Sequence, residues 1–107
     1  MDVHRALKDV LGSPPSEGNL ALSVFSDGEV DVEFYEPKDI DRQEPHTRDE
    51  IYIIARGSGT FTKAASLNVN FSQGDMLFVP ARVEHRFTQF SNDFATWVFF
   101  FGQERGA

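Results

Sequence analysis

The sequence predicts an all-β protein, an antiparallel sandwich or barrel behind one short N-terminal helix, on three observations. From residue 20 onward apolar and polar residues alternate with a period of two. Turn-forming residues recur at close intervals. No helical stretch of usable length follows residue 16.

The elements follow in order. Val3, Leu7, Val10 and Leu11 recur at helical spacing, which predicts a helix over 3–11, with Asp2 placed to cap it and Gly12-Ser13-Pro14-Pro15-Ser16 to end it. Residues 1–16 are then helix and linker, and 17–107 one β domain. Leu20, Leu22 and Val24 form a first strand and Val30, Val32 and Phe34 a second, with Ser26-Asp27-Gly28 as the hairpin signal between them. Further strands are predicted over 50–55, 59–63, 67–71, 76–79, 84–90 and 94–101. Gly57-Ser58-Gly59, Ser72-Gln73-Gly74-Asp75, Pro80-Ala81 and Ser91-Asn92-Asp93 supply the turns.

The last strand, Trp97-Val98-Phe99-Phe100-Phe101, is apolar at every position, so both of its faces require cover. The N-terminal helix is one source of cover and a second copy of the chain another; a homodimer is the preferred solution. Seven of the eleven phenylalanines fall within 78–101, which marks this half as the core.

Composition narrows the function classes. The 107 residues carry a net charge of −7, which disfavours a nucleic-acid partner. No window approaches the roughly 20 apolar residues of a membrane span, and MDVHRALKDV lacks the apolar run of a signal peptide. A cytoplasmic location is the resulting expectation. With no cysteine, disulfides, thiolate metal sites and cysteine nucleophiles are excluded.

Two segments carry chemistry. In the first, Glu44 and His46 stand two apart, sharing a side if the chain is extended, and Glu50, Tyr52 and Ile54 share a face of the next strand. In the second, His85, Phe87 and Gln89 share a face. A carboxylate pointing into an apolar strand must be paired or coordinated. His46, Glu50 and His85 offer two imidazoles and one carboxylate, a ligand set for a divalent ion with positions left open, and Glu44 would add a second carboxylate. The alternative is a solvated Glu/His hairpin. His4, in the terminal helix, reads as surface.

These segments resemble the two motifs of the cupin superfamily. The first motif runs Gly-x5-His-x-His-x3/4-Glu-x6-Gly, and His46, Glu50 and Gly57 match its second His, Glu and final Gly. The second runs Gly-x5-Pro-x-Gly-x2-His-x3-Asn, and Gly74, Pro80 and His85 match it with the right gaps. The chain departs at Lys38 and Glu44, for the leading Gly and first His, and at Arg82 and Gln89, for the second motif's Gly and Asn. The resemblance extends from about Val30 to Phe101. It implies a jelly-roll (double-stranded β-helix) barrel, frequent dimers, and a site inside one mouth. It also implies a divalent metal (Fe, Mn, Zn or Ni) on Glu44, His46, Glu50 and His85.

Neighbouring residues complete the expected pocket. Tyr52 is placed to donate a hydrogen bond to a ligand, and Gln89 to hold a ligand histidine. Phe78 and Trp97 are cavity or core, and Arg48, Arg56, Arg82 and Arg86 are candidates for an anionic substrate or for salt bridges. Two functions stay open. One is a metal-dependent enzyme acting on a small polar molecule, either a dioxygenase or an isomerase or lyase with Glu44 as general base. The other is a small-ligand (sugar-like) binding or sensing module without turnover.

Overall fold

Among the described residues, the alternation predicted from residue 20 onward emerges as eight strands in two antiparallel sheets. The computed structural model describes residues 4–64 and 66–104. A single turn of helix, α1 (Leu7–Val10), precedes β1 (Leu22–Asp27), β2 (Val30–Tyr35), β3 (Asp49–Arg56) and β4 (Ser58–Lys63). There follow β5 (Leu67–Ser72), β6 (Met76–Val79), β7 (His85–Thr88) and β8 (Ala95–Phe101). One sheet has the order β1-β2-β8-β3-β6 and the other β5-β4-β7. This is the jelly-roll arrangement that the resemblance implies, with two facing sheets that do not close into a continuous ladder.

The helix is shorter than the predicted 3–11. Its N-cap, Ala6, has no side chain to satisfy the first amides, and His4 and Arg5 are exposed, so nothing packs an earlier turn in place. Val3 and the expected cap Asp2 lie outside the described residues. Strand 85–88 is also shorter than predicted, because Gln89 turns to a left-handed φ of 51°.

The interior has two ends. Phe61, Phe71, Phe87 and Phe94 stack with ring centroids 4.8–5.4 Å apart and fill one of them. The buried face of β3, Glu50-Tyr52-Ile54, runs from this aromatic core into a polar end. The period-two reading of β3 thus holds residue for residue.

β8 lies at the centre of the five-stranded sheet, which explains its continuous apolar run. Thr96 and Val98 face inward and are buried. On the outer face, Trp97 packs edge-on against Phe34 in a second cluster with Val10 and Ala95. The N-terminal segment therefore does cover part of this face. Further along it, Met76 and Phe78 stay exposed. Phe78 and Trp97 thus belong to the outer face, not to a cavity.

Candidate metal centre

Three of the four expected ligands meet at the polar end. Donor atoms of His46, Glu50 and His85 lie within 4.8 Å of one another. Glu50 arrives on the inner face of β3 and His85 on the first residue of β7; both are buried. His46 comes from the connection between β2 and β3, and its backbone carbonyl accepts a hydrogen bond from the Arg82 N–H at 2.6 Å. That bond ties the two motif segments together. Arg82, where the resemblance expects glycine, adopts a left-handed φ of 67° to make the turn.

Glu44 is the exception. It is exposed and lies outside the three-residue group. The expectation assumed an extended chain from 44 to 46, but this segment is not a strand and Pro45 interrupts it, so parity does not carry through. Gln43 points inward instead and is buried. Its side-chain oxygen accepts from the Tyr52 hydroxyl at 2.9 Å and lies 3.4 Å from His46 Nε2.

Asp41 holds Gln43 in place. Its carboxylate, 1% exposed, accepts from the Tyr35 hydroxyl, from the backbone and side-chain amides of Gln43, and from the Phe87 N–H, at 2.6–3.1 Å. Arg86 adds bonds to the carbonyls of Asp41 and Gln43. Sequence reasoning missed both residues. The signal available was a polar pair two apart, in phase with neither Glu44 nor His46.

Glu50 tests whether this group fits a cation. Its carboxylate is sealed from water, and neither oxygen has a hydrogen bond that satisfies the geometry. Its near neighbours are His85 Nε2 at 2.9 Å and His46 Nε2 at 3.9 Å. His85 Nδ1 faces the Val83 carbonyl at 2.9 Å, and because a carbonyl can only accept, Nδ1 carries a proton. In the neutral ring Nε2 then turns a lone pair toward an acceptor. A second proton or a metal ion resolves that conflict, so the residues fit a divalent ion.

The titration tendencies agree. Burial lowers the His85 pKa, but the Glu50 carboxylate 2.9 Å from Nε2 outweighs it and the net shift is upward. Burial holds His46 below the usual range, against the pull of Glu50. Tyr52 is pushed well up, by burial first and then by the charge of Glu50, and stays a neutral phenol. Its hydroxyl also lies 2.9 Å from His85 Nε2.

A cavity of about 820 Å³ adjoins the group and shares His46 with it. Glu33, Tyr35, Arg42, Gln43, Glu44 and Phe100 are among its walls. Arg48 also lines it, but its guanidinium is occupied by Asp31 and by the carbonyls of Glu29 and Gly102. Burial raises the pKa of Glu33, and Asp31 and Glu50 add to the effect. Gln89 is exposed at its left-handed turn, which accounts for the asparagine that the resemblance expects there. Arg56 is exposed at the end of β3. No helix among the described residues is long and apolar enough to cross a membrane.

Comparison with known proteins agrees with this architecture. An uncharacterised protein of Streptomyces coelicolor is 33% identical over 60 residues; the match spans 56% of each chain, so it covers about half of that relative's length. The crystal structure of protein NMB1881 from Neisseria meningitidis superposes with a TM-score of 0.73 at 15% identity, over 92% of this chain and 99% of that one. The DMSP lyase DddQ from Ruegeria pomeroyi superposes with a TM-score of 0.60 at 21% identity, over 74% of this chain but 41% of its own. At these identities the likeness shows the fold. The model of the cupin domain matches residues 28–101, which span both motif segments and all three converging side chains. The chain belongs to the cupin domain family.

Proposed function

We propose that this cupin holds a divalent metal ion on His46, Glu50 and His85 and presents it to a small polar molecule bound in the adjoining cavity. The observation that carries the reading is the Glu50 carboxylate, buried beside two imidazoles with no hydrogen-bond donor of its own. Two nitrogens and one carboxylate accept Fe²⁺, Mn²⁺, Zn²⁺ or Ni²⁺. Such an ion supplies Lewis acidity toward a carbonyl or hydroxyl. The chain's own residues do the rest. Tyr52 keeps a neutral hydroxyl beside His85, and Glu44, on the cavity wall, offers a carboxylate to the ligand.

Elemental analysis of the purified protein, followed by melting curves with each of the four ions, tests the reading. A bound or stabilising ion is expected, with the response lost in His85→Ala. Protein that holds no metal and melts identically with every ion would overturn it. The metal-loaded protein is then given a panel of small polar metabolites that includes lyase substrates, since one similar structure is a lyase. Turnover marks an enzyme, and stabilisation without turnover marks a binding module.

We also propose a homodimer through the outer face of the larger sheet. Met76 and Phe78 are 59% and 42% exposed there, beside half-buried Ile51, Ile53 and Phe101. Sedimentation is expected to show a dimer that Phe78→Glu converts to monomer; a monomeric wild type would refute this.

A further inference from the structure

The polar end of the interior contains a closed circuit of side-chain atoms. Gln43 Oε1 lies 2.9 Å from the Tyr52 hydroxyl, which lies 2.9 Å from His85 Nε2. His85 Nε2 is 2.9 Å from Glu50 Oε1, Glu50 Oε2 is 3.9 Å from His46 Nε2, and His46 Nε2 returns to Gln43 Oε1 at 3.4 Å. Donors held about 2.1 Å from a shared ion stand roughly 3.0 Å apart in octahedral and 3.4 Å apart in tetrahedral arrangement. The 3.4 Å from Gln43 Oε1 to the ligand nitrogen of His46 has this size, and the 2.9 Å to the Tyr52 hydroxyl is a hydrogen bond that steadies the oxygen there. An amide oxygen is moreover a hard neutral donor of the kind divalent cations accept.

Which end of the amide faces inward is fixed from behind. The Asp41 carboxylate can only accept, so the Gln43 NH₂ must point to it, at 3.1 Å, and the oxygen must point to the circuit. The Phe87 N–H and the Tyr35 hydroxyl occupy the same carboxylate and prevent it from turning. Glu44, the neighbour in sequence, has no comparable anchor and is exposed.

Building on the metal reading above, we propose that the side-chain oxygen of Gln43, not the carboxylate of Glu44, is the fourth protein donor to the ion, and that Asp41 sets its orientation. The ion then carries one protein carboxylate instead of two, and so keeps more of its charge for the ligand. Asp41→Asn is a directed test. An NH₂ at the place of Oδ2 would meet two donors, the Phe87 N–H and the Gln43 NH₂; flipping the Gln43 amide relieves the second of these and turns its NH₂ toward His46 and Tyr52. Adding Gln43→Glu restores an oxygen at that place, with the amide introduced at position 41 now donating to it.

Cobalt(II) titration followed by visible absorption reads these states, with circular dichroism confirming that each variant is folded. Glu44→Gln is expected to bind cobalt within about twofold of wild type and with the same spectrum. Gln43→Leu and Asp41→Asn are expected to bind about 10-fold or more weakly with a shifted spectrum. The Asp41→Asn/Gln43→Glu pair is expected to regain the lost affinity. If Gln43→Leu does not fold, the single and paired Asp41 variants decide. An unchanged spectrum and affinity in Gln43→Leu or Asp41→Asn, or a loss in Glu44→Gln equal to theirs, would overturn the role of Gln43 while leaving the metal centre standing. Wild-type protein that binds no cobalt would overturn both.

Discussion

Glu50→Gln is expected to lower metal affinity by more than about 100-fold while leaving the metal-free protein at least as stable as wild type. The two halves of this result come from one fact. The carboxylate is 1% exposed and lacks hydrogen-bond donors, so its negative charge is held away from water at a cost of several kcal/mol, offset in part by His85. Glutamine keeps the shape and removes the charge. The fold gains from that exchange and the centre loses its anionic ligand. Melting curves read both effects. Ion at about 100 times its dissociation constant adds about 2.7 kcal/mol to the wild type, a shift of several degrees that the variant lacks. A variant that responds to metal as the wild type does would refute the role of Glu50. A metal-free variant melting about 5 °C or more below wild type would show that the Glu50–His85 pair is a structural ion pair.

Gly57→Ala is expected to be the most damaging small substitution in the chain, destabilising by more than about 3 kcal/mol and lowering Tm by more than about 10 °C. Gly57 joins β3 to β4 at a φ of 84°, where an L-residue costs about 1–2 kcal/mol from its backbone alone. A Cβ there would also sit 2.5 Å from Ser91 Oγ and 2.8 Å from the Cα of Phe94. The serine can move only by releasing the Ser58 N–H, which it accepts at 3.0 Å, and the Phe94 backbone opens β8. Gly74→Ala is the control: its φ of 92° is equally left-handed, but a Cβ there meets nothing within 4 Å, so only the backbone cost applies. Equal losses in the two variants, or a Gly57→Ala protein within about 2 °C of wild type, would refute the steric argument.

What could be read from the sequence depended on whether a residue sat in a strand. The inward face of β3, Glu50-Tyr52-Ile54, and the pairing of His85 with Phe87 on β7 followed from alternation alone, and both are buried as read. The same rule misplaced Glu44, because residues 41–46 are held by side-chain bonds from Asp41 and Arg86 and not by a ladder. Side-chain stitching has no period, so Gln43 was invisible to it. Arg82 and Gln89 were visible as departures from a motif, but their left-handed backbone, the reason small residues are expected there, was not. The all-apolar β8 announced two faces in need of cover, of which the inner is buried and the outer covered in part. Alternation did not tell that the N-terminal segment takes the Trp97 end and leaves Met76 and Phe78 bare.

The stitching also has a consequence for biosynthesis. His46 and Gln43 are made early, yet what pins their segment (the Arg82 amide, the Arg86 side chain and the Phe87 amide) is translated some forty residues later. A nascent chain that has emerged only as far as β6 has Glu50 on β3 paired against β6 but no fixed place for either imidazole. On the proposed metal reading, loading would wait for a chain whose β7 has left the ribosome.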